Sequence, residues 1–389
     1  MAWYNLKKQE STPEITEIVD TKYQNFSSPF GSISRGNLAL PYVRSYGSEP
    51  YVRFGNDNLY PQLINQMYHT SPLNGAIINF KTNAIIGGGW ELNSEEKSGP
   101  EKVKEYAFIK RNNLKKLLRQ STKDIVMHGR ICIIVNESEN GTITFKRVGP
   151  EKVRNNADKT LYTLSDDWAR SVNMKAYKPY YPGLKGQSIF VYELDEEAGQ
   201  DYYPIPSYCS SLNSAFLQGE IPFLQKSNLI NSIFPSFMLT MAKKFGSEEE
   251  AAAFRDTIEK AKGAQEAGRV LAFVANSADQ LPILTEIPTN QNDKLFTETT
   301  ENVIGQICSA HQIDMLIMGQ RVPGKLGSGN ELPAAYTIFE KNVVMPLREM
   351  MTEFANELFF IANIPTTITI NDYQIIQGVI IDTTIKPTN

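Results

Sequence analysis

Between residues 332 and 361 apolar side chains recur at helical spacing, with no glycine to interrupt them. Phe339, Val343, Leu347, Met351, Phe354 and Leu358 fall on one stripe. The pattern predicts a single helix of about 45 Å at 1.5 Å rise per residue. A rod of that length constrains whatever packs along it. Pro346 lies inside the pattern and predicts a kink near Asn342, because its ring removes an amide donor and crowds the carbonyl four residues back. Glu349, Glu353 and Glu357 sit four apart and form an acidic stripe on another face. Ile364 and Pro365 stop the helix, and residues 366–370 read as a strand.

The segment before this helix is a glycine-rich loop carrying Gly319, Arg321, Gly324, Lys325, Gly327, Gly329 and Asn330. Gly319, Gly324 and Lys325 have the spacing of a phosphate-binding loop, which opens a nucleotide-binding enzyme as an alternative reading. That chemistry needs a serine or threonine after the lysine to hold magnesium, and Leu326 stands there. Pro323 also removes an amide that could face phosphate. A flexible surface loop, or a mobile basic loop that touches a polyanion through Arg321 and Lys325, fits the residues better.

Residues 1–50 are polar and show no sustained period, so they read as an extended arm. A short helix is expected from Pro61 to Tyr68. A second opens at Ser71 and Pro72 and stops at Gly87, Gly88 and Gly89. The spacing predicts one helix over 101–128, then a hairpin of strands 130–135 and 142–148 across a turn cluster at 136–141. Short strands follow, one over 188–194. A helix is expected over 223–234, starting after Pro222, and then a strand over 235–241. Ser247 followed by Glu248, Glu249 and Glu250 opens a helix to Lys262, with acids where the helix dipole favours them. Strands 269–275 and 281–287 complete a small α/β unit, and a helix runs over 292–311.

Composition excludes several classes. The chain has 389 residues, 41% apolar and 21% charged, which is globular and fits neither disorder nor fibre. No apolar run approaches the roughly 18 residues of a membrane span, and the N-terminus has no long apolar core of a secretory signal. Three scattered cysteines fit neither a disulfide framework nor a zinc site. No metal or cofactor is expected. Net charge is −4, but it is unevenly spread. Residues 101–190 carry 18 basic and 9 acidic groups, whereas 191–389 carry 13 and 25. Such asymmetry fits an assembly or a nearby polyelectrolyte, and equally two ordinary solvated surfaces of opposite sign.

Other chemistry-bearing groups are weak signals. Cys308 and His311 lie three apart on one helical segment but show no orienting acid, so a buried structural role is expected. The acid pairs Asp166-Asp167 and Glu196-Glu197 fall in polar stretches. The aromatic-rich stretch 168–208 is open to base stacking or to interface packing.

Three stretches in order carry a family resemblance. The first runs from Pro50, Tyr51, Val52 and Arg53 to Tyr60 and Pro61, with Ser71-Pro72-Leu73-Asn74-Gly75 after it. The second is Glu220-Ile221-Pro222-Phe223 through Phe234-Pro235-Ser236. The third, most specific, is Gln306-Ile307-Cys308-Ser309-Ala310-His311, followed by Gly319 and Gly327-Ser328-Gly329-Asn330-Glu331. The chain resembles the portal proteins of tailed double-stranded DNA bacteriophages, of the shorter kind. The resemblance implies an α+β portal fold. It has an N-terminal arm at 1–45, an α/β wing at 46–208 with C-terminal contributions, and a first stem helix region at 209–234. An α/β clip at 235–290, a second stem helix at 291–313 and a tunnel loop at 314–331 follow. A kinked helix at 332–361 and a short β segment at 362–389, with little or no crown, end the chain. It further implies a non-enzymatic ring, usually a dodecamer, at one capsid vertex of the virion, assembled in the host cytoplasm. Double-stranded DNA would pass through it without sequence specificity. The terminase large subunit, the head–tail connector and the major capsid protein would be its partners. The loop residues above are then expected at the DNA channel, with Glu349, Glu353 and Glu357 facing it. Glu248, Glu249, Arg255, Glu259 and Lys262 become clip residues for terminase docking. Another virion head–tail adaptor is the remaining alternative.

Overall fold

A computed structural model describes residues 41, 43–45, 49–93, 98–195, 201–231, 237–240, 247–249, 252, 253, 256, 283–286, 292–320 and 331–372. All of them lie in the compact unit Asn37–Asn389. Most of the expected arm at 1–45, strand 269–275 and most of the expected helix to Lys262 lie outside the described residues; Val43–Ser45 at the arm's end are strand.

The chain opens with an antiparallel pair, β1 (Val43–Ser45) and β2 (Val52–Phe54). Helices α1 (Tyr60–Thr70) and α2 (Pro72–Ile86) follow, each with proline in its first turn. Ser71 does not cap α2 as its position suggests. Instead the side-chain oxygen of Gln218, from a helix more than a hundred residues on, accepts the Leu73 N–H at 3.1 Å and the Ser71 hydroxyl at 2.5 Å. An orphan donor at the start of α2 is thus satisfied across the fold. After β3 (Trp90–Asn93) the expected single helix is two, α3 (Gly99–Arg111) and α4 (Leu114–His128). Ser98 and Glu101 form a capping box on α3. Asn112 breaks the run: its amide nitrogen donates to Phe108 O and its oxygen accepts the Phe145 N–H, and Asn113 takes φ +45°. Asparagine tolerates that left-handed backbone, which alternates poorly with a continuing helix.

Strand β4 (Arg130–Glu137) is the centre of an antiparallel sheet between β5 (Ile143–Val148) and β9 (Gly186–Glu193), as the hairpin pattern predicts. Its residues are buried except Asn136, so the β-branched run reads as a strand covered on both faces. Strands β6 (Val153–Asn155), β7 (Tyr162–Leu164) and β8 (Lys175–Tyr177) form a second small sheet. Cys132, Ile134, Val148, Val153, Tyr162 and Ile189 make the shared core. Arg154 is fully buried here, with no carboxylate partner among the described residues. It donates to Asn58 and to the Glu151 and Val153 carbonyls, and lies over the Trp168 ring at 4.8 Å.

Helix α5 (Leu212–Asn231) starts well before the expected 223, and Pro222 lies inside it. Its first half is held by buried Leu212, Ala215 and Ile221, so tertiary packing outweighs the proline's lost bond. Strands β10 (Phe237–Thr240) and β11 (Ile283–Glu286) pair antiparallel, and α6 (Asn292–Ala310) returns alongside α5. The long C-terminal rod is α7 (Glu331–Phe339), a π turn (Glu340–Val344) and α8 (Met345–Ile361). The expected irregularity near Asn342 is present as this wider turn, lying just where the Pro346 ring would crowd a regular α-helix. Strand β12 (Thr367–Ile370) then pairs with β3, bringing the C-terminal segment back to the N-terminal half. Gly88 permits the approach: a side-chain carbon there would lie 2.4 Å from Asn371 O and 2.5 Å from Asp372 O.

Candidate functional site

The site is built on α8, whose two faces differ sharply. Met351, Phe354, Ala355, Leu358 and Phe359 are buried, with Phe354 near Phe190 and Tyr192 of β9 and Phe359 near Phe108 of α3. The predicted apolar stripe is therefore the packing face. Sequence reasoning missed Arg348, which sits on that face at 5% exposure. Its guanidinium donates to the carbonyls of Ala84 (2.9 Å) and Ile85 (3.3 Å) at the end of α2. It also pairs with Glu340 of the π turn at 2.8 Å and with Asp372 after β12 at 2.5 Å. One side chain thus satisfies C-terminal carbonyls of α2 and holds three segments to it. The available signal was a lone arginine between the buried positions Val344 and Met351.

The opposite face of α8 is open. Glu349, Glu353 and Glu357 are all exposed, as the stripe predicts. Met345 and Phe360 bracket them at 43% and 72% exposure. This face, residues 364–367, Thr369, Ile370 and Asn93 border a groove of about 920 Å³, with Arg348 and Asp372 at its edge. The Tyr192 hydroxyl donates to Glu353 at 2.8 Å; burial, with that acid beside it, pushes the phenol above its ordinary range. The arrangement offers a hydrophilic acidic rim over apolar ends.

Of the expected loop residues, Gly319 is described: it takes φ +68° and closes a turn by donating to Leu316 O at 3.0 Å. Arg321, Gly324, Lys325, Gly327, Gly329 and Asn330 lie outside the described residues. Glu248 and Glu249 are exposed, while Arg255, Glu259 and Lys262 also lie outside. Cys308 and His311 do not form a nucleophile pair. Burial pushes the Cys308 thiol up to about 11. His311 bonds Asn74 at 2.9 Å and stacks on Tyr208 with ring centres 4.6 Å apart; burial holds it well below the usual imidazole range. In the aromatic stretch, Trp168, Tyr203 and Tyr208 are core residues and cannot stack bases. Among the described residues no group of three or more His, Cys, Asp or Glu could hold a metal, and no helix is long and apolar enough to cross a membrane.

The chain matches no family model. It is similar to the "Probable portal protein" of Escherichia phage P2, with 22% identity over 234 residues. That match covers 59% of this chain and 64% of the relative, so the chain spans somewhat less than two thirds of the curated relative's length. The fold is similar to that of chains found in particle necks. It matches a chain in the neck of an empty GTA particle computed with C6 symmetry, at TM-score 0.56 and 14% identity over 80% of this chain and 84% of that one. A chain in the neck of a native GTA particle computed with C12 symmetry gives 0.54 and 13% over 80% and 83%; GTA denotes a gene transfer agent. The α+β reading and the resemblance to phage portal proteins are both borne out.

Proposed function

We propose that this chain is the subunit of a portal ring, the non-enzymatic conduit at one vertex of a tailed-phage-type particle. The supporting observation is the match, across four-fifths of the chain, to proteins of particle necks, one treated with C12 symmetry. Twelve copies would surround a channel through which double-stranded DNA enters and leaves the head. On this reading α5 and α6 are the stem and the β10–β11 unit belongs to the clip. The terminase large subunit and later the head–tail connector would dock there, through Glu248, Glu249, Arg255, Glu259 and Lys262. The wing would meet the major capsid protein. The loop with Gly319, Arg321 and Lys325 would meet DNA. Few cations there suit sliding, since each neutralised phosphate adds salt-dependent grip.

Glu349, Glu353 and Glu357 fit a DNA-facing role by charge alone. The exposed phenyl and thioether at the two ends of the same face favour a protein neighbour instead, because apolar groups gain nothing against a phosphate backbone. Negative-stain images of the purified chain test the proposal. Rings with a central channel about as wide as a duplex support it. A uniform monomer at micromolar concentration, or ATP turnover abolished by Lys325→Ala, overturns it.

A further inference from the structure

Two exposed helix faces of this chain carry charges of opposite sign at the same spacing. The first is the groove face of α8, with Met345 and Phe360 at its ends and Glu349, Glu353 and Glu357 between them. The second is the outer face of α3. Val103 and Tyr106 are 68% and 62% exposed there, flanked by exposed Lys102, Lys104, Lys110 and Arg111. Residues 103, 106 and 110 share that face, and Lys110 lies over the Tyr106 ring at 5.4 Å. Glu105 and Phe108 are on the other side of α3, buried against Thr366 and Phe359 of the same chain. The outer face of α3 is therefore turned away from its own α8.

The spacings agree. Lys102 and Lys110 are eight residues apart, as are Glu349 and Glu357, so each charge pair spans about 12 Å along its helix. An aromatic and an aliphatic side chain accompany each set. Large exposed apolar side chains set among charges mark a face suited to interaction. The charges of the two faces are of opposite sign, which steers and orients association. Because the faces differ and belong to one chain, their contact between copies is head-to-tail, the kind that generates a ring when the rotation closes.

We infer that α3 of one subunit docks in the α8 groove of the next, and that this contact carries the ring of the proposed function, on which the inference rests. The energy comes mainly from covering Val103, Tyr106, Met345 and Phe360. The exposed ion pairs contribute little each and set register. The acids of α8 then face lysines of a neighbour, not the DNA path.

The test uses the full chain in two variants, each with one added cysteine. Glu357→Cys in one tagged pool and Lys110→Cys in another are mixed, assembled and mildly oxidised. The native Cys132, Cys209 and Cys308 are all buried, so background coupling is low. A disulfide-linked dimer that requires both pools supports the inference. Charge reversal supplies the second arm. Glu349→Lys with Glu357→Lys, or Lys102→Glu with Lys110→Glu, should cut the assembled fraction about tenfold, and a mixture of the two variants should restore most of it. Each reversed variant must keep the wild-type circular dichroism spectrum. Rings that persist in both reversed variants, with no cross-pool disulfide, overturn the inference and leave the conduit reading intact. Absence of rings in the wild-type chain overturns both. If Glu357→Cys couples to Ile380→Cys within one chain, the groove is filled by the chain's own C-terminal segment, and the inference fails.

Discussion

Replacing Arg348 by methionine keeps much of the apolar stem and deletes the guanidinium, which isolates the polar work of this residue. The Asp372 carboxylate is 74% exposed, so its pairing contributes about 0–1 kcal/mol. Glu340 is only 20% exposed and loses its cation. The carbonyls of Ala84 and Ile85 belong to fully buried residues and lose their side-chain donor. Stripping one partner from a buried pair costs about 3–5 kcal/mol, and that figure sets the expectation here. Urea unfolding followed by fluorescence should show a lowered midpoint with an unchanged slope. Hydrogen exchange should show faster opening at the end of α2 than in β4. The decisive result is the double variant. Arg348→Met with Glu340→Gln should be more stable than Arg348→Met alone, by about 1 kcal/mol, because the second change removes a carboxylate that the first left unpaired. A loss under about 1 kcal/mol in the single variant, or a double variant less stable than the single, refutes the clamp.

Acid should destabilise the fold through two histidines. Burial, with Arg147, Arg154 and Arg130 nearby, lowers His128 to about 3, and His311 also lies well below its ordinary value. Both stay neutral when folded and charge when unfolded, so stability is lost as pH falls below about 6.5, by about 2 kcal/mol at pH 5 for His128. Asp124 acts in the opposite sense: burial, opposed by Arg147, raises it to about 6. The folded state gains that proton first, which returns about 1 kcal/mol by pH 5. Urea midpoints should fall from pH 7 through 6 to 5, and His128→Gln should flatten the curve. Gly88→Ala should cost about 1–3 kcal/mol by driving a methyl into two backbone carbonyls and parting β12 from β3, read as a lowered melting temperature. Gln218→Ala should cost about 1 kcal/mol by exposing the uncapped start of α2, and Gln218→Glu should retain most of the stability, since an acid is favoured there.

Elements with a strong local period were readable from the residues. The hairpin β4–β5, the helix α6 and the rod from α7 to α8 all follow from hydrophobic spacing that burial later uses. Errors arose where a side chain acts at long range. Asn112 splits α3 from α4 because its amide is wanted by Phe145 of β5, which helix periodicity does not register. Pro222 reads as a start signal, yet α5 passes through it, because Leu212 and Ala215 pack before it and fix the helix earlier. Ser71 reads as a cap, yet the capping oxygen comes from Gln218. Arg348 was silent because a lone cation in a helix is ordinarily solvated. The acidic stripe was legible, but its meaning was not: sequence spacing gives the charges without showing that Phe360 and Met345 share their face.

On the proposed function, that shared face bears on how a charged ring would avoid gripping DNA. Residues 101–190 hold 18 basic groups against 9 acidic ones. Such a surface turned toward a duplex would neutralise many phosphates, and affinity would fall steeply with salt. The structure shows where much of this charge is spent. Arg147 pairs with Asp124, Arg130 and Lys159 with Glu193, Lys185 with Glu137, and Arg154 is enclosed by carbonyls, amides and rings. The cations of α3 are among those still exposed. If they are covered by the acids of a neighbour, the two halves of the charge asymmetry cancel across subunit boundaries and the channel is left weakly charged. Salt should then act chiefly on assembly. Raising it from 50 to 500 mM should slow ring formation from subunits, while binding of short duplexes to finished rings, followed by fluorescence anisotropy, stays weak throughout. A DNA affinity that climbs steeply as salt is lowered would place uncovered lysines on the DNA path, against this account.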